Sequence, residues 1–176
     1  MFLDVEIVSQ AHLQENHLNL GESNMSIIKK EIIQAFVNKL TLERNELKMA
    51  LEETRGSTQS ETKSSAGDKY ETQREMMQME INRMESQVSQ LNDAISQWNS
   101  FDAIDNTVNW GSLIEISIGG KVVHLIIGPS SGDIQLNQNT IKSISKDSPI
   151  GKAIWGKTAP AEFNFSGKTI KLISCS

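Results

Sequence analysis

Two stretches of the sequence repeat seam residues in alternating steps of four and three, and a polar segment without large apolar side chains separates them. The first set is Ile33, Val37, Leu40, Arg44, Leu47, Leu51 and Thr54. The second set is Tyr70, Arg74, Met77, Ile81, Met84, Val88, Leu91, Ile95 and Trp98. A period of 3.5 residues keeps one stripe of a helix facing one partner along its whole length. The sequence therefore predicts an antiparallel helical hairpin, roughly 40 Å long at about 1.5 Å per residue.

The boundaries of this hairpin follow from helix start and stop signals. The first helix is expected over about residues 26–54, because the glycine and serine residues that follow favour helix poorly. The second helix is expected to run to about Trp98. Residues 55–67 form the tip loop, after which Asp68 can cap the second helix. Arg44 and Arg74 occupy seam positions, and either they reach past the seam toward a carboxylate or they fix the register of the two helices.

Composition narrows the class of protein. The chain has 176 residues, a net charge of −5 and 5 % aromatic residues, which does not favour a protein that mainly binds nucleic-acid phosphates. A single cysteine, Cys175, forms no internal disulfide and suits a reducing compartment. The apolar runs are too short to span a bilayer. We expect a cytoplasmic protein without a membrane partner.

Differences in the pattern of apolar and polar residues divide the chain into three parts. Residues 1–24 resemble a folded unit poorly and are interpreted as a disordered tail or as a mis-assigned start before Met25. Residues 25–100 form the hairpin, and residues 106–176 form a small C-terminal domain. With one helical and one strand-rich part, the predicted fold class is α+β.

Short strand-like runs separated by glycine turns mark the C-terminal domain. The predicted strands cover residues 113–118, 121–127, 134–136 and 168–174, and Gly119 and Gly120 form a hairpin turn between the first two. One short helix follows Ser148 as N-cap, with Pro149 at its first position and Gly156 near its end. These signals predict a small antiparallel sheet with one short helix.

The two halves together resemble the Gre family of bacterial transcription elongation factors. The resemblance extends from about Ser26 to the C-terminus, and its most specific part is the segment Asp147-Ser-Pro-Ile-Gly-Lys-Ala-Ile-Trp-Gly-Lys157. It implies an FKBP-like C-terminal domain that docks on RNA polymerase near the secondary channel. It also implies that the hairpin enters this channel, which brings it into indirect contact with nascent RNA and DNA.

The tip departs from the family pattern. Gre factors carry an acidic pair there, which helps to hold a second Mg²⁺ in the polymerase active site, and the equivalent positions here are Lys63 and Ala66. Neither residue offers the oxygen ligand that Mg²⁺ requires. Glu61 and Asp68 flank this segment and remain candidate metal ligands, although Glu61 also fits a solvated acid and Asp68 a helix cap. The chain is expected to have no cofactor of its own, and Mg²⁺ would be shared with the polymerase.

The leading hypothesis is a regulator of transcription elongation that binds RNA polymerase and is not itself an enzyme. A factor that stimulates the polymerase to cleave backtracked RNA is the first alternative, and a general coiled-coil adaptor is the second. A monomer is expected, with a dimer left open. The residues expected to face the polymerase are Lys63, Ser64 and Ser65 at the tip and Trp110, Asp147, Ser148, Pro149 and Lys152 in the C-terminal domain. Trp155 and Phe163 are expected to pack in or beside the core.

Overall fold

Two long helices open the fold. The computed structural model describes the backbone of residues 4–60, 67–101, 106–136 and 139–176, and the side chains of residues 28–57, 71–101, 106–136 and 139–176. Helix α1 spans Asp4–Ser60 and helix α2 spans Gly67–Trp98. The side chains of residues 1–24 lie outside the described part, and the interpretation of this segment as a tail or mis-assigned start stays a prediction.

The first helix continues past its expected end. It crosses Gly56 and ends at Ser60 rather than at Thr54. A glycine inside a helix costs only about 1 kcal/mol relative to alanine. Next to Gly56, the Arg55 guanidinium pairs with Glu85 on α2, so contacts between the two helices continue beyond Thr54. The end of α2 at Trp98 agrees with the prediction.

The seam of the hairpin follows the heptad pattern in the part that the structure describes. Leu40, Leu51 and Ile81 are buried, and the neighbouring seam residues are mostly half-buried. Arg44 donates from Nη1 to Oδ1 of Asn92 on the opposite helix, over 3.3 Å. The expected partner of this arginine was a carboxylate; the structure provides an amide instead. Because this bond crosses the seam, it agrees with the alternative that Arg44 fixes register.

In the described part of the chain, six strands form one sheet. They are β1 Leu113–Ile118, β2 Lys121–Ile127, β3 Asp133–Leu136, β4 Asn139–Ile144, β5 Ala161–Phe165 and β6 Lys168–Cys175. Their order across the sheet is β3-β4-β2-β1-β6-β5. Neighbouring strands are antiparallel except β2 and β4, which run parallel. The sheet is therefore mixed and not purely antiparallel as expected, because the β3-β4 hairpin joins β2 through its second strand.

Each face of the sheet has its own apolar cluster. Along β2, Leu125 and Ile127 point to one face and Ile126 to the other, as the twofold period of a strand requires. The face with Leu125 and Ile127, called the inner face below, packs against Ile154 of the short helix α3, which spans Pro149–Ile154. The outer face packs against the base of the hairpin. This arrangement confirms the α+β class. No helix within the described ranges is long and apolar enough to cross a membrane.

Candidate functional site

The base of the hairpin is fixed to the sheet by an aromatic stack. Phe36 of α1 and Trp98 of α2 are fully buried and lie parallel, with ring centroids 4.6 Å apart and planes 3° from parallel. The Trp98 indole Nε1 donates to Oγ of Ser131 over 2.9 Å, which ties α2 to the loop between β2 and β3. Since Phe36 lies outside the heptad set, its role was missed. The base of α1 packs on the sheet as well as on α2, so the buried residues there differ from those of the heptad set.

Lysines of α1 also bind the domain. The Lys39 ammonium donates to the backbone carbonyls of Ser131 and Asp133, over 2.9 and 3.1 Å. Lys29 is buried and its ammonium donates to the carbonyl of Ser176 over 3.3 Å. Burial lowers the pKa of Lys29, and the nearby Cys175 acts in the opposite direction. Apolar packing and charged donors therefore both hold the hairpin at one orientation to the domain.

An open groove of about 830 Å³ lies between α2 and loops of the C-terminal domain. The residues that line it come from α2 and from four loops: Gln90, Asp93, Ala94, Gln97, Trp110, Gly128, Pro129, Ser130, Ser145, Lys146, Asp147 and Trp155. Two of the residues expected to face a partner, Trp110 and Asp147, thus line one groove. A ligand in this groove would touch the hairpin and the domain together.

A compact turn presents the remaining expected docking residues beside this groove. The Ser148 hydroxyl accepts from the Gly151 backbone N–H over 3.1 Å and donates to the Ser145 carbonyl over 2.7 Å. The Asp147 backbone N–H donates to Oγ of Ser145 over 3.1 Å. Asp147, Pro149 and Lys152 are exposed. Ser148 therefore shapes the turn through its hydroxyl, and its exposed neighbours supply charge and apolar surface for a partner.

Trp155 differs from its expected place. Phe163 packs half-buried against the inner cluster, as expected, whereas Trp155 is 42 % exposed and lines the groove. Helix α3 ends at Ile154, and the backbone of Trp155 leaves the helical region with φ −54° and ψ 130°. The apolar pair Ile150 and Ile154, four residues apart, already supplies the face that packs on the sheet. That spacing is the sequence signal from which the position of Trp155 outside the core could have been predicted.

The charges that line the groove are mixed. Asp93 on α2 and Asp147 before α3 carry negative charge, and the positively charged Lys146, next to Asp147 in sequence, lines the same groove. Around them, Trp110 is half-buried against Phe101, with ring centroids 5.7 Å apart, and Trp155 is partly exposed. Aromatic side chains with a polar rim are typical of the central contacts in protein interfaces. The arrangement suits a protein partner better than a small molecule.

The hairpin tip lies outside the described residues. This applies to Glu61, Lys63, Ser64 and Ser65, and also to the side chain of Asp68, whose backbone belongs to the first turn of α2. The proposed metal ligands and tip contacts therefore stay predictions.

The arm below the tip is described. There, Arg55 bonds Glu52 of its own helix over 2.7 Å and also Glu85 of α2. The hydrogen bonds that Arg55 donates to Glu85 and, to a lesser extent, to Glu52 raise the pKa of its guanidinium, which stays charged. The two helices are thus still joined by charged side chains close to the tip.

No protein-family model matches the sequence, and no curated protein matches it. Among solved structures, the chain is similar to GreA factor homolog 1 (Gfh1) of Thermus thermophilus, with 18 % identity, 81 % of this chain and 95 % of that chain covered, and a TM-score of 0.32. Gfh1 of Thermus aquaticus matches with 19 % identity, coverage of 81 % and 94 %, and a TM-score of 0.33. A further structure of the transcription factor Gfh1 has 19 % identity, coverage of 80 % and 93 %, and a TM-score of 0.32. These solved structures are of the kind of factor that the sequence resembles.

Proposed function

We propose that this protein binds RNA polymerase at its secondary channel and regulates transcription elongation. The C-terminal domain, with the FKBP-like fold that the sequence resemblance implies, docks on the outside of the enzyme. The hairpin extends from it into the channel and approaches the nascent RNA and DNA there. The observation that carries the proposal is the groove, because it joins Trp110, Asp147 and the base of the arm in one surface.

A rigid joint is what such a function requires. An arm roughly 40 Å long turns a small angular error at its base into a displacement of several ångströms at its tip. The stack of Phe36 on Trp98 and the hydrogen bonds from Lys39 to the carbonyls of Ser131 and Asp133 limit that error. A general adaptor that only bridges two proteins would not need its arm held at a fixed angle to its docking surface.

The experiment measures binding to purified bacterial core RNA polymerase by biolayer interferometry. Trp155→Ala is expected to weaken binding at least tenfold, because a partly exposed aromatic side chain at an interface centre contributes about 2 kcal/mol or more. Asp147→Asn is expected to weaken it about threefold. Asp133→Asn serves as the matched control, since its carboxylate pairs with Lys142 and neither residue lines the groove. Absence of binding by the parent protein would contradict the proposal and favour the adaptor.

Cleavage is tested separately with backtracked elongation complexes in Mg²⁺. We propose regulation without cleavage, because Lys63 and Ala66 stand where the acidic pair would be. The RNA should therefore remain intact when the factor is bound. Release of short 3′ fragments by the parent protein, lost in a Glu61→Ala, Asp68→Ala double variant, would instead assign Mg²⁺ ligands to these two residues.

A further inference from the structure

Helix α3 leaves one end of the inner sheet face uncovered. Its residue Ile154 packs on the cluster that includes Ile127 and Val108, at the end of β2 that leads into the following loop. At the opposite end of the strands, Ile118 and Val123 are only half-buried. A cleft of about 770 Å³ opens there, next to the β1-β2 turn and the start of β6. This volume lies within the range of about 300–1,000 Å³ that is usual for ligand sites.

The cleft combines an apolar floor with a cationic rim. Ile118 and Val123 form the floor, and Lys121 and Lys168 stand at the rim. Both lysines are exposed and, by the alternation along their strands, belong to the same face as Val123 and Ile170. Gly119 also lines the cleft, and no heavy atom lies within 4 Å of the position that a Cβ on this residue would take.

These lysines differ from others on the same sheet. Lys142 pairs with Asp133 over 2.7 Å, and Lys171 pairs with Glu162 over 2.9 Å. Within the side chains that the structure describes, neither Lys121 nor Lys168 has an ion-pair partner, and no acidic residue lines the cleft. The whole chain carries a net charge of −5, so this cationic concavity runs against its overall charge. Opposed charges across an interface favour encounter and specificity.

We propose that this cleft is a docking site for an acidic protein segment, which places an apolar side chain on Ile118 and Val123 and its carboxylates near Lys121 and Lys168. A single-stranded nucleic acid fits less well, because such strands are bound by aromatic stacking surfaces along a longer cationic track. The cleft lining has no aromatic residue and two cations. The site is separate from the groove beside α2, with which it shares no lining residue.

The test uses a short fluorescein-labelled peptide of alternating glutamate and leucine and measures fluorescence anisotropy with the intact protein. A Lys121→Gln, Lys168→Gln double variant is expected to bind this peptide about five- to tenfold more weakly, as the loss of two exposed ion pairs implies. The control is a Lys142→Gln, Lys171→Gln double variant, which changes the net charge equally at two lysines outside the cleft. Its affinity should stay within about twofold of the parent protein.

A second variant tests the apolar floor. Val123→Thr keeps the shape of the side chain but adds a hydroxyl, and it should weaken peptide binding about threefold or more. The far-UV circular dichroism of every variant should match that of the parent protein, since all the substituted side chains are exposed or half-buried. Three results would overturn the proposal: no binding of the peptide by the parent protein, equal losses in the two double variants, or tighter binding of a single-stranded oligonucleotide at the same lysines. Because polymerase is absent from the assay, its outcome is independent of the proposed function.

Discussion

Substitution of Gly128 by alanine should loosen the joint between hairpin and domain. A Cβ at this position would lie 2.7 Å from Cη2 and 3.0 Å from Cζ3 of Trp98. The indole cannot move aside easily, because Phe36 stacks on its face and its Nε1 is bonded to Ser131. Overpacking of this kind costs about 1–3 kcal/mol. Loss of the indole hydrogen bond would add about 1 kcal/mol, so the free energy of unfolding should fall by about 2–4 kcal/mol.

The assay is urea unfolding followed by tryptophan fluorescence, with Gly56→Ala as the matched control. Gly56 lies inside α1 with nothing within 4 Å of its added Cβ, so the same substitution there should raise stability by up to about 1 kcal/mol. The two alanine variants are therefore expected to shift the unfolding midpoint in opposite directions. A Gly128→Ala protein as stable as the parent would refute the reasoning, since it would mean that the indole can relax without loss. A shift of the same sign in both variants would refute it equally.

Three further changes test single contacts. Lys39→Met keeps the aliphatic stem but leaves the carbonyls of Ser131 and Asp133 without their ammonium donor, and thermal unfolding should show a loss of about 1–2 kcal/mol. Ser148→Ala removes the acceptor for the Gly151 N–H at the start of α3 and should cost about 0.5–2 kcal/mol by the same measurement. The hydrogen bond from Arg83 lowers the pKa of Glu80, so this pair stabilises the fold above the ordinary glutamate pKa and loses its effect as the pH falls through the lowered value. An NMR titration should show the Glu80 pKa returning toward its ordinary value in Arg83→Gln.

The elements that the sequence predicted well are those with strong local signals. The Gly119-Gly120 turn between two apolar runs placed β1 and β2 correctly, and the Ser148-Pro149 start placed α3. Strand β4 was missed because its buried positions include Ser143, so the apolar residues do not alternate. The Ser143 hydroxyl donates to the Pro129 carbonyl and accepts from the Ser131 N–H. Because this serine is buried through hydrogen bonds to a neighbouring loop, its polar side chain hides the strand pattern in the sequence.

The candidate site was predicted only in part, because its residues come from distant segments. Asp147 and Trp110 could be selected by type and by resemblance, but nothing local to them shows that Gln90 and Asp93 of α2 form the other wall of the groove. That wall exists because the end of α2 is held on the sheet by Trp98, whose partners are remote in sequence. Long-range packing of this kind leaves no periodic signal.

The same packing joins the groove to the arm. Trp98 stacks on Phe36 and makes a T-shaped contact with Phe101, with centroids 5.1 Å apart in the second pair, and Phe101 contacts Trp110, which lines the groove. One groove wall belongs to the hairpin and the other to the domain. A partner that fills the groove would therefore bind best at one orientation of the arm and would stabilise that orientation by mass action. By the same linkage, a change that loosens the joint, such as Gly128→Ala, should weaken binding of that partner.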